Sequence, residues 1–409
     1  MRRLWPALIA IGVLARLWLW WTTIGSNDVI GWANHADHVG RLGLAETYRT
    51  ERLYNHPPLA GLYSVWALAT ANHDVLAFAR LLKLPALLGE VLAMVLLARH
   101  GGARLAALYA LLPAPILVAA YHGNTDTLYA ALTLLAALLW DRGRHGLAGL
   151  AMAAALNVKL IPLVLVPLFV LSAPSWGALA RLSLGLALAI VPYVPPLLSA
   201  GEAMYRNMVA YNSSADEWGF LALLNDAERS PSTRALATPL REAVLFLGRY
   251  LIMGGAVVIA LASRLRLRLS MLEQTALASS LFLFFAPGFG IQYVAFPAPL
   301  LLAVSTGVGV FWGVASGVFA GALYGSYLVD GDAGDPWYSS FRAPFPGYCP
   351  ELGVIAWAGL GAWIYLHLRA ASRGTPANSA AGPTDHDNPA DPGHRADPGQ
   401  QLGEPEPAG

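Results

Sequence analysis

From residue 4 to about residue 368 the chain is a succession of apolar runs separated by short polar turns, and that pattern leaves little choice of fold. A run of about 20 apolar residues crosses a bilayer as a helix. Inside lipid, each backbone polar group must be satisfied within its own segment. The expectation is an all-α, polytopic transmembrane helical bundle. Composition agrees, with 56% of the 409 residues hydrophobic and 12% charged. The formal net charge of +1 argues against a nucleic-acid partner. The single cysteine, Cys349, excludes an internal disulfide and any multi-cysteine metal site.

Residues 4–22 form the first expected span. Arg2 and Arg3 precede it and no small-x-small cleavage site follows, so it reads as an uncleaved anchor with a cytoplasmic N-terminus. The apolar stretch 57–71 is only about 15 residues long, short of a straight span, and is expected as an interfacial or re-entrant helix. Residues 23–75 then form an extracytoplasmic first loop carrying interfacial helices. Spans follow at 76–98, 105–120 and 127–140, and two short ones meet near Lys159 within 146–172. Further spans are expected at 182–198, 243–263, 270–286, 291–305, 308–322 and 352–368, about 12 in all, with both termini inside. The basic turns at 99–104, 142–144 and 264–268 all fall in the cytoplasm on this reading, as the positive-inside rule asks. Residues 1–371 make one transmembrane domain. Residues 372–409 are rich in Pro, Gly and Asp, cannot bury a core, and are expected as a disordered cytoplasmic tail.

The same parity gathers polar clusters on the outer face. They are Asp28, His35, Asp37 and His38; Asn55 and His56; the run His122-Gly123-Asn124-Thr125-Asp126; Lys159; the loop at 205–217; and residues 287–293 with Gln292 and Tyr293. The cytoplasmic turns are short and merely basic, so the chemistry faces outward. Arg80, Lys83 and Glu90 share one helical face, with the two cations near its outer end, where a lipid phosphate would lie. Charges at membrane depth are costly and point to function. For Arg80 and Lys83, a specific lipid phosphate and ordinary headgroups are both open. Arg16 and Glu90 are expected as a structural ion pair. Asp28 suits a general base or a metal-held carboxylate, but its position taken alone favours a helix cap by Asn27 or Asp28. Asp37 and His38 read equally as solvated loop residues, and the His35/Asp37/His38 spacing is too weak to assign a metal. Asp126 either shares a helical face with His122 or caps the next span. Gln292 and Tyr293 fit packing more readily than catalysis.

At these residues the chain resembles the C-type (GT-C fold) membrane glycosyltransferases, which take a sugar from a polyprenyl-phosphate donor on the extracytoplasmic face. The acidic residue just after the first span and the loop ending Asn55-His56-Pro57-Pro58-Leu59 carry the resemblance, and HPPL is similar to the motif of protein O-mannosyltransferases. With HGNTD at 122–126, NVKLIPL at 157–163 and PGFGIQY at 287–293, the pattern looks closer to bacterial polyprenol-dependent mannosyltransferase-like proteins. The resemblance implies a bacterial plasma-membrane enzyme that moves a mannose-like hexose or pentose to a glycan, glycolipid or protein acceptor. It implies that Asp28 matches the first-loop catalytic position, with Asp37 a second acid there. His56, Arg80 and Lys83 match regions that contact the donor or its phosphate. His122, Asn124, Asp126, Lys159, Gln292 and Tyr293 complete the expected substrate site.

Many relatives carry two adjacent acidic residues where this chain has Asn27 before Asp28. That departure favours a single-carboxylate, inverting displacement with no cofactor; a divalent metal is compatible with the sequence but not required by it. Two D-x-D matches, Asp330-Gly331-Asp332 and Asp385-His386-Asp387, lie in turn-like or disordered sequence and read as solvated acids. The competing classes are a lipid-linked glycan flippase or transporter and a membrane ligase or acyltransferase. A transporter would be expected to carry polar groups through the midplane and an internal repeat. The crowding of polar groups at one face favours the glycosyltransferase.

Overall fold

The computed structural model describes residues 4–210, 218–329 and 349–373, so the Asp330-Gly331-Asp332 and Asp385-His386-Asp387 matches, most of the expected tail and the end of the 205–217 loop lie outside the described residues. Those described are helical, with no strand among them. Helix α1 (Leu4–Thr22) leads into α2 (Asn27–Leu42), α3 (Leu44–Thr50) and α4 (Pro58–Thr70). Next come α5 (Val75–Gly101), α6 (Ala103–Leu111), α7 (Pro113–Ile116, prolonged to His122 by a wider turn), α8 (Asp126–Asp141) and α9 (His145–Val158). They are followed by α10 (Val166–Leu171), α11 (Trp176–Ala187), α12 (Val194–Met204), α13 (Gly219–Arg229) and α14 (Pro231–Ala262). Finally come α15 (Met271–Phe284), α16 (Ala298–Val304), α17 (Thr306–Val329) and α18 (Cys349–Ser372).

Among the described residues, six helices are long and apolar enough to cross a membrane, or up to seven if the pair bent by 62° between α6 and α7 is one span. The expectation of about 12 also counted shorter apolar helices such as α9 and α15, which length and composition alone do not support as spans. Helix α4, with 13 residues, is too short to cross.

Helix α8 is the ruler of the molecule, because it is buried on nearly all sides and its two ends differ in chemistry. Its 16 residues reach about 24 Å. At its far end Asp141 accepts hydrogen bonds from the backbone N–H groups of Met271 and Leu272 (2.7 and 3.0 Å). Arg264 and Arg268 line the same cleft as Asp141. At its near end, Asp126 stands beside Lys159.

The chain reverses at Lys159. A Cβ on Gly146 would lie 3.6 Å from the Arg181 carbonyl oxygen, one on Gly149 would lie 2.4 Å from that of Leu182, and Asn157 Nδ2 donates to Ala189 O (3.3 Å). Residue numbers rise together along both helices, so α9 and α11 are parallel and the segment between must run back. It does: Ser172 Oγ donates to Gln274 Oε1 (3.0 Å) at the Asp141 end. Proline at 162 and 167 gives that return leg its tight turn and short helix.

The expected Arg16–Glu90 pair is present. Arg16 Nε donates to Glu90 Oε2 (2.8 Å), its Nη1 donates to the carbonyls of Gly12 and Ala110, and Tyr109 donates to Glu90 Oε1 (2.6 Å). Each partner is buried and hydrogen-bonded, which is the condition under which an apolar interior tolerates such a pair.

Candidate active site

The start of α2 shows why Asp28 is available for chemistry. Ser26 caps this helix, its Oγ accepting from the Asp28 N–H (3.3 Å). The cap expected from Asn27 or Asp28 is therefore supplied one residue earlier, and the Asp28 side chain is free to point elsewhere. Its Oδ2 accepts from Asn124 Nδ2 (3.1 Å) and lies 3.1 Å from His122 Nε2. Asn124 is held for this by its own Oδ1, which accepts from the Thr125 N–H (2.8 Å).

Two glycines permit this approach. Gly123 has φ +83°, and a Cβ there would lie 2.7 Å from Val29 Cγ2. Gly25 has φ +117°, and its Cβ would lie 2.4 Å from the Tyr121 carbonyl oxygen. Both positions combine a left-handed backbone with no room for a side chain.

Helical periodicity sorts the rest of α2. Trp32 and His35 follow Asp28 at i+4 and i+7, on the same face. Trp32 stacks on His56 (centroids 3.8 Å, 24°), and His35 stands edge-on to His56 (5.8 Å) and Tyr54 (5.3 Å). The His56 carbonyl accepts from Tyr48 Oη (2.6 Å). Asp37 is nine residues on, which is half a turn away from Asp28 in phase. It is exposed and paired with Arg41, while His38 Nδ1 lies 3.0 Å from Glu51. The structure therefore brings Asp28, and not Asp37, to His122 and Asn124.

Burial by itself would raise the Asp28 carboxyl, but the adjoining His122, then Lys159 and Asn124, outweigh it and hold the group well below the usual carboxylate range. Even so, 36% of the side chain stays accessible. Burial lowers His35, and burial with the nearby charges of His35 and Lys159 holds His56 well below the usual imidazole range.

Lys159 ends α9 in an extended conformation, aiming its Nζ at Asp126 Oδ2 (2.7 Å) and over the Tyr293 ring (4.7 Å). Tyr129 donates to the other Asp126 oxygen (2.9 Å). Asp126 is fully buried, whereas Lys159 keeps 16% exposure and its charge reaches Asp28 and His56. Gln292 folds its amide over Gly290, where a Cβ would lie 2.7 Å away. Lys83 is fully buried, with Nζ donating to the carbonyl (2.8 Å) and hydroxyl (3.1 Å) of Thr23. Arg80 donates twice to the Trp21 carbonyl and stacks over that ring at 3.9 Å.

Beside this cluster lies an apolar groove of about 260 Å³ between α2, α4, α5, α8 and α9. Tyr63, Leu82, Pro85 and Leu128 are among its walls, and Thr125 and Asn157 are its amide and hydroxyl groups nearest the polar cluster in sequence. Pro85 cannot bond the Leu81 carbonyl, and Tyr63 Oη donates to it instead (2.5 Å), so a helix break is sealed within the groove. Ser26, Trp32 and Tyr129 are members of the cluster that sequence reasoning did not single out. The signals available were a serine just before Asn27-Asp28 and the i, i+4, i+7 spacing. Among the described residues, no group of three or more His, Cys, Asp or Glu is placed to hold a metal ion.

No protein of curated function matches this chain. The model of glycosyltransferase family 87 matches residues 54–287, more than half of the chain, and takes in α4 through α15 with His56, the 122–126 turn and Lys159. The chain belongs to glycosyltransferase family 87, and is a transferase carried on membrane helices.

Proposed function

We propose that the protein takes a mannose-like sugar from a polyprenyl-phosphate donor and transfers it, with inversion, to a hydroxyl of a glycan, glycolipid or protein acceptor on the extracytoplasmic face. The observation that carries this reading is the juxtaposition of a partly open carboxylate, Asp28, with a partly open cation, Lys159, beside an apolar groove. A lipid-phosphate sugar needs those three features side by side. In this reading its chain enters the groove, its phosphate meets Lys159 and its sugar lies against Asp28 and His56.

The charges at the two ends of α8 support an extracytoplasmic site. The cluster stands at the Asp126 end, while the arginines at 264 and 268 gather at the Asp141 end. Assigning the basic end to the cytoplasm puts the cluster outside.

In the reaction the acceptor hydroxyl attacks the anomeric carbon as Asp28 takes its proton. The carbon–phosphate oxygen bond breaks, and its electron pair leaves on the phosphate, stabilised by Lys159. Lys83 serves as a strap holding the α1–α2 turn against α5, and Arg80 remains at the headgroup level. Purified protein in lipid nanodiscs, given radiolabelled polyprenyl-phosphate mannose and a panel of other polyprenyl-phosphate sugars with envelope glycolipids, should move label to acceptor and release polyprenyl phosphate. Transfer from nucleotide sugars alone refutes the donor. Movement of an intact lipid-linked sugar across vesicles, with no bond change, supports a flippase instead.

A further inference from the structure

A cleft of about 330 Å³ opens at the far end of α8, between the ends of α8, α10 and α14 and the start of α15. Its buried neutral groups are already committed to the protein. Gln274 Nε2 donates to the Leu269 carbonyl (3.0 Å), its Oε1 accepts from Ser172 Oγ (3.0 Å), and Ser263 Oγ donates to Leu269 O (3.1 Å). Three charges remain on the lining, Asp141, Arg264 and Arg268. Opposite charges in one cleft would ordinarily pair, yet among the described residues no ion pair joins Asp141 to either arginine. The reason is local. Both Asp141 oxygens accept backbone N–H groups of α15, which fixes the carboxylate there and leaves each oxygen a further lone pair. Arg264 gives one N–H to the Leu171 carbonyl (3.2 Å) and keeps the others.

Arg268 is the least ordinary of the three. It closes the wide turn Ser263–Leu267 at the end of α14, donating its N–H to Ser263 O (2.9 Å), with φ +51° and ψ 38°. Glycine or asparagine is the usual occupant of such a left-handed cap, because a larger side chain crowds the backbone. Here an arginine accepts that crowding, and its guanidinium has no hydrogen bond or ion pair among the described residues.

We propose that this cleft binds the headgroup of a phospholipid that carries a primary ammonium, with its phosphate on Arg264 and Arg268 and its ammonium on Asp141. An ethanolamine phosphodiester has one negative and one positive charge, the complement of a site whose own charges are held apart. Guanidinium groups match phosphate oxygens. The spare lone pairs of Asp141 match N–H donors, and the Trp140 ring on the same lining suits a cation. A choline headgroup has no N–H to give, and a glycerol headgroup has no positive charge. The surroundings favour a lipid over a soluble molecule. Leu265 and Trp176, close in the chain to the lining Arg264 and Pro174, are 77% and 86% exposed, so apolar surface adjoins the charges. Tryptophan and arginine at the ends of spans mark the headgroup level. The Asp28 cluster lies at the opposite end of α8, whose 16 residues reach about 24 Å, so this site is separate from the transfer chemistry.

The test is native mass spectrometry of the full chain, stripped of lipid in detergent and titrated with phosphatidylethanolamine, phosphatidylcholine and phosphatidylglycerol of identical acyl chains. The wild type should hold phosphatidylethanolamine at least about tenfold more tightly than the other two, the difference expected of one charge-assisted hydrogen bond. Equal affinity for the three overturns the proposal. Arg268→Gly keeps the left-handed turn and removes the guanidinium, so the melting midpoint in detergent should not fall while phosphatidylethanolamine affinity drops at least about tenfold. Unchanged affinity in that variant also overturns it. Asp141→Asn keeps an oxygen for one backbone N–H and loses the charge, and should bind phosphatidylethanolamine and phosphatidylcholine alike; a preserved preference counts against the site. Should Asp141→Asn not fold, wild-type selectivity and Arg268→Gly decide the matter. Glycerophosphoethanolamine, the same headgroup without chains, should fail to displace the lipid at equal concentration. Displacement would make the ligand a soluble phosphodiester and overturn the lipid assignment.

Discussion

Replacing Asp28 by Asn asks whether this carboxylate acts as a base or merely fits its pocket. The amide has the same size. Its oxygen can still accept from Asn124 Nδ2, now at 3.1 Å, and its NH2 can face His122 Nε2, also 3.1 Å from the present oxygen. The α2 cap is untouched, because Ser26 supplies it. The fold should therefore survive with little change in thermal unfolding. Proton acceptance does not survive, and losing general-base assistance costs roughly 10²–10⁴ in turnover, about 2.7–5.4 kcal/mol of barrier. The companion variant is Asp37→Asn. Asp37 lies half a turn out of phase with Asp28, 44% exposed, against an Arg41 that is 63% exposed. Such an i,i+4 pair contributes about 0.3–0.5 kcal/mol, so turnover should be unchanged. The assay is the initial rate of label transfer from a polyprenyl-phosphate sugar at saturating donor, beside a melting curve for each variant. Normal turnover in Asp28→Asn, or equal losses in the two variants, would refute the assignment.

Lys159→Met should raise the donor KM at least about tenfold, the loss of a charge-assisted contact of about 1.5–3 kcal/mol. Because it strands the buried Asp126, the double variant with Asp126→Asn should recover folding but not donor affinity; recovery of both would make the pair purely structural. Arg16→Met leaves Glu90 buried without its cation and should lose about 3–5 kcal/mol of unfolding free energy in mild detergent, most of it regained by adding Glu90→Gln; an unchanged unfolding midpoint would refute this. In a Cys349→Ser background, cysteines introduced at Leu53 and at Gly143 should react with an impermeant maleimide from opposite sides of the membrane, and same-side labelling would reject the assignment of the α8 ends.

What could be read from the chain was what charge makes conspicuous against an apolar background. Arg16 and Glu90 stand alone among hydrophobic residues, and each had to find the other. Lys159, followed by Pro162, marked a place where a helix could not continue, and α9 ends there. Residues 57–71 were too short to span, and α4 has 13 residues. The span count was less legible, because mean hydropathy cannot tell a short crossing helix from a short packed one, as α9 and α15 show.

The candidate site was half legible for a different reason. Asp28 and Asp37 look alike as letters in one polar loop, and only the helix between them, with its 100° per residue, turns one inward and the other out. Once α2 is a helix, Trp32 and His35 join Asp28 without further assumption. The contact of Asp28 with His122 could not be read that way, since the two are 94 residues apart and their meeting depends on Gly25 and Gly123. Neither glycine carries charge or hydropathy, and each matters through the side chain it lacks. A Cβ at Gly123 would force Val29 away, and with it the first turn of α2 on which Asp28 sits. The identity of the carboxylate at the centre of the site is thus set by two turns whose role appears only when the helices they join are already packed.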